Sequence, residues 1–184
     1  MFERSLEIKK SYGASSNLAT LYFAQALYSK AARMYEAALA LNDQDSQVWG
    51  NLGAAYYWAP GEREKSAAAF QRAIKGSEQD LLVNPKDAET TASLAGYYAI
   101  VGEGHKAEAT MNLALTISPE NARVLYLVGT THEQLGKREK ALYWLGQALE
   151  RGYPIYEIEQ QPELKQLVAD KHFADLKKKS HVQP

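Results

Sequence analysis

The chain has 184 residues, with 21 Lys and Arg against 22 Asp and Glu, a formal net charge of -1 and no cysteine. That length supports a continuous hydrophobic core, and the missing thiols exclude disulfide scaffolds, thiolate metal sites and cysteine nucleophiles. The near-zero charge balance argues against nucleic-acid binding, which uses a basic stripe to displace counterions from phosphates.

Residues 1 to 11 read as the tail of a preceding helix or a linker, which suggests that the chain adjoins a further repeat or domain. They mix charged with apolar side chains and lack the uninterrupted apolar stretch of a secretory signal. No apolar run approaches the ~18 to 20 residues that cross a bilayer, so no membrane insertion is expected and the default location is the cytoplasm.

From residue 12 onward, side-chain size recurs. The units run 12 to 45, 46 to 87, 88 to 121 and 122 to 155, which makes the period 34 with one longer unit. Each unit predicts two helices, A and B. Small residues stand where A must approach B closely, at Ala19, Gly53, Ala95 and Gly129. Helix B carries its own small positions, Ala31, Ser66, Ala107, Ala141 and Ala38, Ala73, Ala114, Ala148. Large apolar residues fill between them: Leu18, Leu52, Leu94 and Val128 on A, and Tyr35, Phe70, Met111 and Leu145 on B. Pro85 and Pro119 close units because proline cannot continue a helix, while Gly102 and Gly136 mark the turn between A and B.

The second unit carries extra residues. One sits in the turn at Trp58-Ala-Pro-Gly61, and seven more separate Ala73 from Asn84-Pro85. Seven residues is two helical turns, and Ile74, Leu81 and Leu82 are expected to share a stripe, so an elongated helix B is predicted despite Gly76. After residue 155, Leu164, Leu167, Val168, Phe173 and Leu176 predict short capping helices over the fourth unit, with Asp170 as an N-cap and the lysines 177 to 179 in a frayed tail.

Trp49-x2-Leu52-Gly53-x2-Tyr56, followed by Phe70 and Pro85, is the signature on which the chain resembles the tetratricopeptide-repeat (TPR) family. The resemblance implies an all-α fold, a right-handed α-solenoid of about four helix-turn-helix units with a C-terminal capping segment of short helices. Ser11-Tyr-Gly-Ala-Ser-Ser-Asn17, Val48-Trp-Gly-Asn-Leu52, Trp58-Ala-Pro-Gly-Glu62 and Glu150-Arg-Gly-Tyr153 further resemble the C-terminal repeat region of large bacterial regulators. There the repeats follow a kinase, a cyclase or a winged-helix domain, and no kinase or cyclase motif occurs in this chain.

In the TPR family helix A lines the concave inner face. The resemblance therefore assigns a partner-binding groove to Ser16, Thr20 and Phe23, then to Gln47, Gly50, Asn51, Ala54, Tyr57 and Trp58. The third unit contributes Glu89, Ala92, Gly96, Ala99 and Ile100, and the fourth Arg123, Tyr126, Thr130, Glu133 and Gln134. Phe23, Tyr57, Trp58 and Tyr126 are expected as broad apolar flanks, so Tyr57→Ala and Tyr126→Ala should weaken binding with little loss of stability. Of the polar set with which some TPR proteins hold a chaperone's C-terminal carboxylate, Asn51 alone is in place, which argues against that ligand.

Catalytic constellations are missing from the pattern. His105, His132, His172 and His181 are scattered, without a metal-ligand spacing, and His132 takes the position of Tyr22, Tyr56 and Tyr98, as a packed residue would. Gly102-Glu-Gly104 is a turn and not a phosphate loop. No enzyme activity, cofactor or metal is expected. The function expected is binding of a peptide or helix from a partner protein; the alternative is self-association through the terminal helices.

Overall fold

The computed structural model describes residues 11–180, and the regular elements among them are all helical. The expectations that concern residues 1 to 10, and His181 with the residues after it, lie outside the described residues. The chain forms two compact units that divide after Ser77. Unit 1 holds α1 (Tyr12–Ala24), α2 (Tyr28–Leu39), α3 (Ser46–Trp58), a 3-10 turn (Arg63–Lys65) and the larger part of α4 (Ser66–Val83). Unit 2 holds the end of α4, then α5 (Ala88–Ile100), α6 (Gly104–Ile117), α7 (Ala122–Gln134) and α8 (Arg138–Glu150). Its C-terminal segment comprises α9 (Ile155–Glu159), a 3-10 turn (Pro162–Leu164), α10 (Lys165–Val168) and α11 (Lys171–Ser180).

Each A helix begins on a side-chain cap, which satisfies N–H groups that have no partner within the helix. Ser11 accepts from the Ala14 N–H, Asp45 from Val48 and Asp87 from Thr90, while Asn121 accepts from both Arg123 and Val124. The paired B helices α2, α6 and α8 start differently, after Leu27, Glu103 and Lys137, with no side-chain cap. Here the chain wraps back on helix A: the N–H groups of Leu27, Glu103 and Lys137 donate to the carbonyls of Tyr22, Tyr98 and His132. The wrap needs a left-handed residue, supplied by Gly102 (φ 87) and Gly136 (φ 72) and, in the first unit, by Ala26 at φ 57.

The helices pack in adjacent pairs, α1 with α2, α5 with α6 and α7 with α8, and α5 also lies against α7. The recurring small residues sit at these contacts. A side chain on Gly53 would meet the Phe70 ring at 3.0 Å, and one on Gly129 would meet Leu145 Cγ at 2.8 Å. Ala19, Ala31, Ala38, Ala73, Ala95, Ala107, Ala114, Ala141 and Ala148 are fully buried, with Tyr35, Phe70, Met111 and Leu145 closing around them. Leu18 alone among the large A-helix positions stays half-buried.

Helix α4 runs 18 residues without interruption through Gly76. Gly costs about 1 kcal/mol inside a helix, and its presence here has a steric reason. A Cβ at Gly76 would stand 2.9 Å from the Ser46 Cβ, at the start of α3. Ile74 is buried and Leu81 half-buried, but Leu82 is 84% exposed, contrary to the expected shared stripe. At 3.6 residues per turn, Leu81 returns within about 20° of Ile74 whereas Leu82 overshoots by about 80°.

The C-terminal segment folds back onto α7 and α8. Leu164, Leu167 and Phe173 are at most 1% exposed and join Leu125, Leu145 and Leu149 in one core. Leu176 lies against Gly146, where an added Cβ would approach it to 3.0 Å. Asp170 caps the last helix, accepting from the His172 N–H at 2.9 Å. Lys177 and Lys178, expected in a frayed tail, instead lie within α11, and Lys177 pairs with Glu159 at 2.6 Å. Among the described residues no helix is long and apolar enough to cross a membrane.

Candidate partner-binding face

In unit 1, α1 and α3 present the expected binding positions on surfaces that their partner helices leave uncovered. Ser16, Phe23, Asn51 and Ala54 are half-buried, and Thr20, Gln47, Tyr57 and Trp58 are exposed. Gly50, expected to leave space on this face, is buried. The Thr20 hydroxyl lies 3.0 Å from the Tyr35 hydroxyl, so it links α1 to α2 and is only partly available to a ligand.

Four aromatic residues of this unit, Phe23, Tyr28, Tyr57 and Trp58, form a row. Phe23 at the end of α1 meets Tyr28 at the start of α2 edge-on, with ring centroids 5.2 Å apart. Tyr28 continues to Trp58 at 6.2 Å, and Trp58 to Tyr57 at 5.2 Å. Arg63, on the 3-10 turn, lies 4.1 Å from the Tyr57 ring centroid and donates from Nη2 to the Tyr57 hydroxyl at 2.6 Å. Two members of this cluster, Tyr28 and Arg63, were not among the expected binding residues. Tyr28 opens a B helix, outside the inner-face pattern; Arg63 follows the one-residue insertion in the turn, which is the sequence feature that signals it.

Unit 2 treats its expected positions differently. Glu89 and Arg123 pair at 3.3 Å, and Asn121 Nδ2 donates to Glu89 Oε1, so these side chains engage one another. Gly96 is half-buried and Ile100 is 40% exposed. Ala92 is buried. Glu133 accepts a two-pronged bond from Arg138, whose guanidinium also approaches Asp170 at 3.7 Å.

Tyr126 and Thr130 depart from the open wall expected of them, being 7% and 6% exposed. The Tyr126 ring stacks on Tyr153, centroids 4.3 Å apart and planes 9° from parallel. Burial, helped by Tyr153, pushes the Tyr126 phenol well above its ordinary pKa. The physical cause is the C-terminal segment, which takes α7 and α8 as its own docking surface and places Tyr126 in the core with Ile158 and Leu164.

Among the described residues no three of His, Asp and Glu converge on a common point. His105 and His172 are exposed, and His172 Nδ1 lies 2.9 Å from Asp170. His132 is buried, its Nδ1 without a hydrogen-bond partner, and burial together with Lys140 lowers its pKa.

No family model matches the chain. Over 122 residues it is 28% identical to the BBSome complex member BBS4 of Bos taurus; the match covers 66% of this chain but only 22% of that protein's length. Among solved structures, TTC0263, a thermophilic TPR protein of Thermus thermophilus, superposes with a TM-score of 0.59 at 21% identity, over 92% of this chain and 88% of that one. The crystal structure of MamA has a TM-score of 0.49 at 20% identity, covering 82% of this chain and 84% of its own. The chain has the TPR fold.

Proposed function

We propose that this chain is a non-catalytic interaction module, which binds a peptide or helix of a partner protein on the α1 and α3 faces of unit 1 and works within a larger bacterial regulator. One observation carries the reading. Apart from Gly50, the expected binding positions of unit 1 all keep solvent access, although the residues beside them, Ala19, Leu52, Ala55 and Tyr56, are packed away. A row of aromatic side chains that starts against the core at Phe23 and ends exposed at Tyr57 and Trp58 is suited to anchoring an inserted side chain. The curated relative is itself named as a member of a complex, and this chain spans about a fifth (22%) of it, so the process served is part of the proposal.

Self-association through the C-terminal helices has less to build on, because Leu164, Leu167 and Phe173 are already buried within unit 2. The test is affinity capture from the source organism with the wild-type chain and an Asn51→Arg/Tyr57→Ala variant at matched folded fraction. A partner held by the first and lost by the second supports the proposal. Identical captures by both baits refute it.

A further inference from the structure

We propose that Tyr57, Trp58 and Arg63 form a subsite for a peptide in which an acidic residue stands beside a bulky apolar one. This deepens the reading of unit 1 as a partner-binding face and rests on it. The apolar half of the site is the ring row: Tyr57 and Trp58 are 39% and 36% exposed, and their mutual edge-on contact holds both in place.

The charged half is Arg63. Among the described residues it makes no ion pair, whereas Arg123, Arg138 and Arg151 pair with Glu89, Glu133 and Glu120. Its guanidinium is nevertheless held, laid against the Tyr57 ring and bonded to the Tyr57 hydroxyl. A cation held by an aromatic ring, with no carboxylate of its own and several N–H donors unused, is preorganised for an incoming carboxylate. Trp, Tyr and Arg are also the residue types in which binding energy concentrates at protein interfaces. Glu62 and Glu64 flank Arg63 in sequence, and the next cation, Lys65, is paired with Glu62 at 3.0 Å. That setting favours a monoanionic carboxylate over a dianionic phosphate.

The experiment selects displayed random dodecamers on the full chain, then titrates the most enriched sequence as a labelled synthetic peptide. Enrichment of Asp or Glu next to an apolar residue is expected. Arg63→Gln should weaken that peptide about fivefold or more, as expected for a charge pair across an interface. The peptide's Glu→Gln change should cost nothing further in the Arg63→Gln variant. Arg63→Glu, a surface change that spares the core, should prefer the peptide with Lys in place of its acid. Selected peptides without acidic enrichment, unchanged binding by Arg63→Gln, or tighter binding of a phosphoserine version each overturn the subsite. If binding ignores Arg63 and Trp58 but is lost in Asn51→Arg, the subsite fails while the face stands. If no peptide is selected at all, both fail.

Discussion

Tyr98 Oη donates to Glu78 Oε1 at 2.6 Å, joining the A helix of the third repeat to the helix before it, at a separation of 20 residues. The same contact recurs between Tyr56 and Glu36, again 20 residues apart. Each phenol is buried beside a carboxylate, which disfavours phenolate, and Tyr98 is pushed up to about 12, first by burial and then by the Glu78 bond.

The recurrence makes an alkaline prediction. The unfolded chain ionises Tyr98 near its ordinary pKa of about 10 while the folded chain keeps the proton, so this stabilisation is complete below pH ~10 and fades as pH rises toward ~12. Tyr98→Phe should flatten the loss of stability across that window and lower stability at neutral pH by about 1 kcal/mol, the worth of one hydrogen bond. Denaturant midpoints at several alkaline pH values measure it; identical slopes for the two proteins would refute it.

His132 takes the position that Tyr56 and Tyr98 hold, and 20 residues before it stands Asn112 instead of Glu. The bond is not reproduced: Nδ1 has no partner. Because burial and Lys140 lower the folded pKa, the unfolded chain takes up the proton first, and stability falls as pH drops below about 6.5. His132→Phe should remove that part of the acid loss between pH 7 and pH 5, read as urea midpoints. An unchanged acid slope would count against it.

Two backbone positions should respond in opposite directions. Ala26→Gly relieves a left-handed alanine in the first A–B turn and should raise stability by about 1 kcal/mol. Gly76→Ala gains helix propensity but drives a methyl into Ser46 Cβ at 2.9 Å, with the Ser46 Cα at 3.3 Å behind it, and should cost about 1 to 3 kcal/mol. Thermal midpoints of both variants decide; a stabilised Gly76→Ala protein would mean that α4 shifts freely over α3.

Tyr57→Ala and Tyr126→Ala are expected to differ in kind. Tyr57 is exposed, so its loss should leave the thermal midpoint nearly unchanged. Tyr126 is stacked on Tyr153 in the core, and its truncation should cost about 3 to 5 kcal/mol. Equal midpoints for the two variants would contradict the burial of Tyr126.

That contrast marks how far the sequence could be read. The repeat interior was legible because a contact made in every repeat leaves the same size of side chain at the same place: Gly53 under Phe70 and Gly129 under Leu145 are one contact at two addresses. Tyr126 was not, since what covers it is a segment that occurs once and has no period to betray it. Arg63 escaped for a similar reason, its place depending on an insertion in a single turn. Gly76 was visible as an anomaly, but only the approach of Ser46 explains it.

The unequal helix starts bear on where each repeat opens. A-helix amides are tied at once by Ser11, Asp45, Asp87 and Asn121, while the starts of α2, α6 and α8 lack any such side-chain acceptor. Deuterium should therefore enter the B helices at their first turns soonest, so that fraying begins at the hairpin bends and not at the joints between successive hairpins.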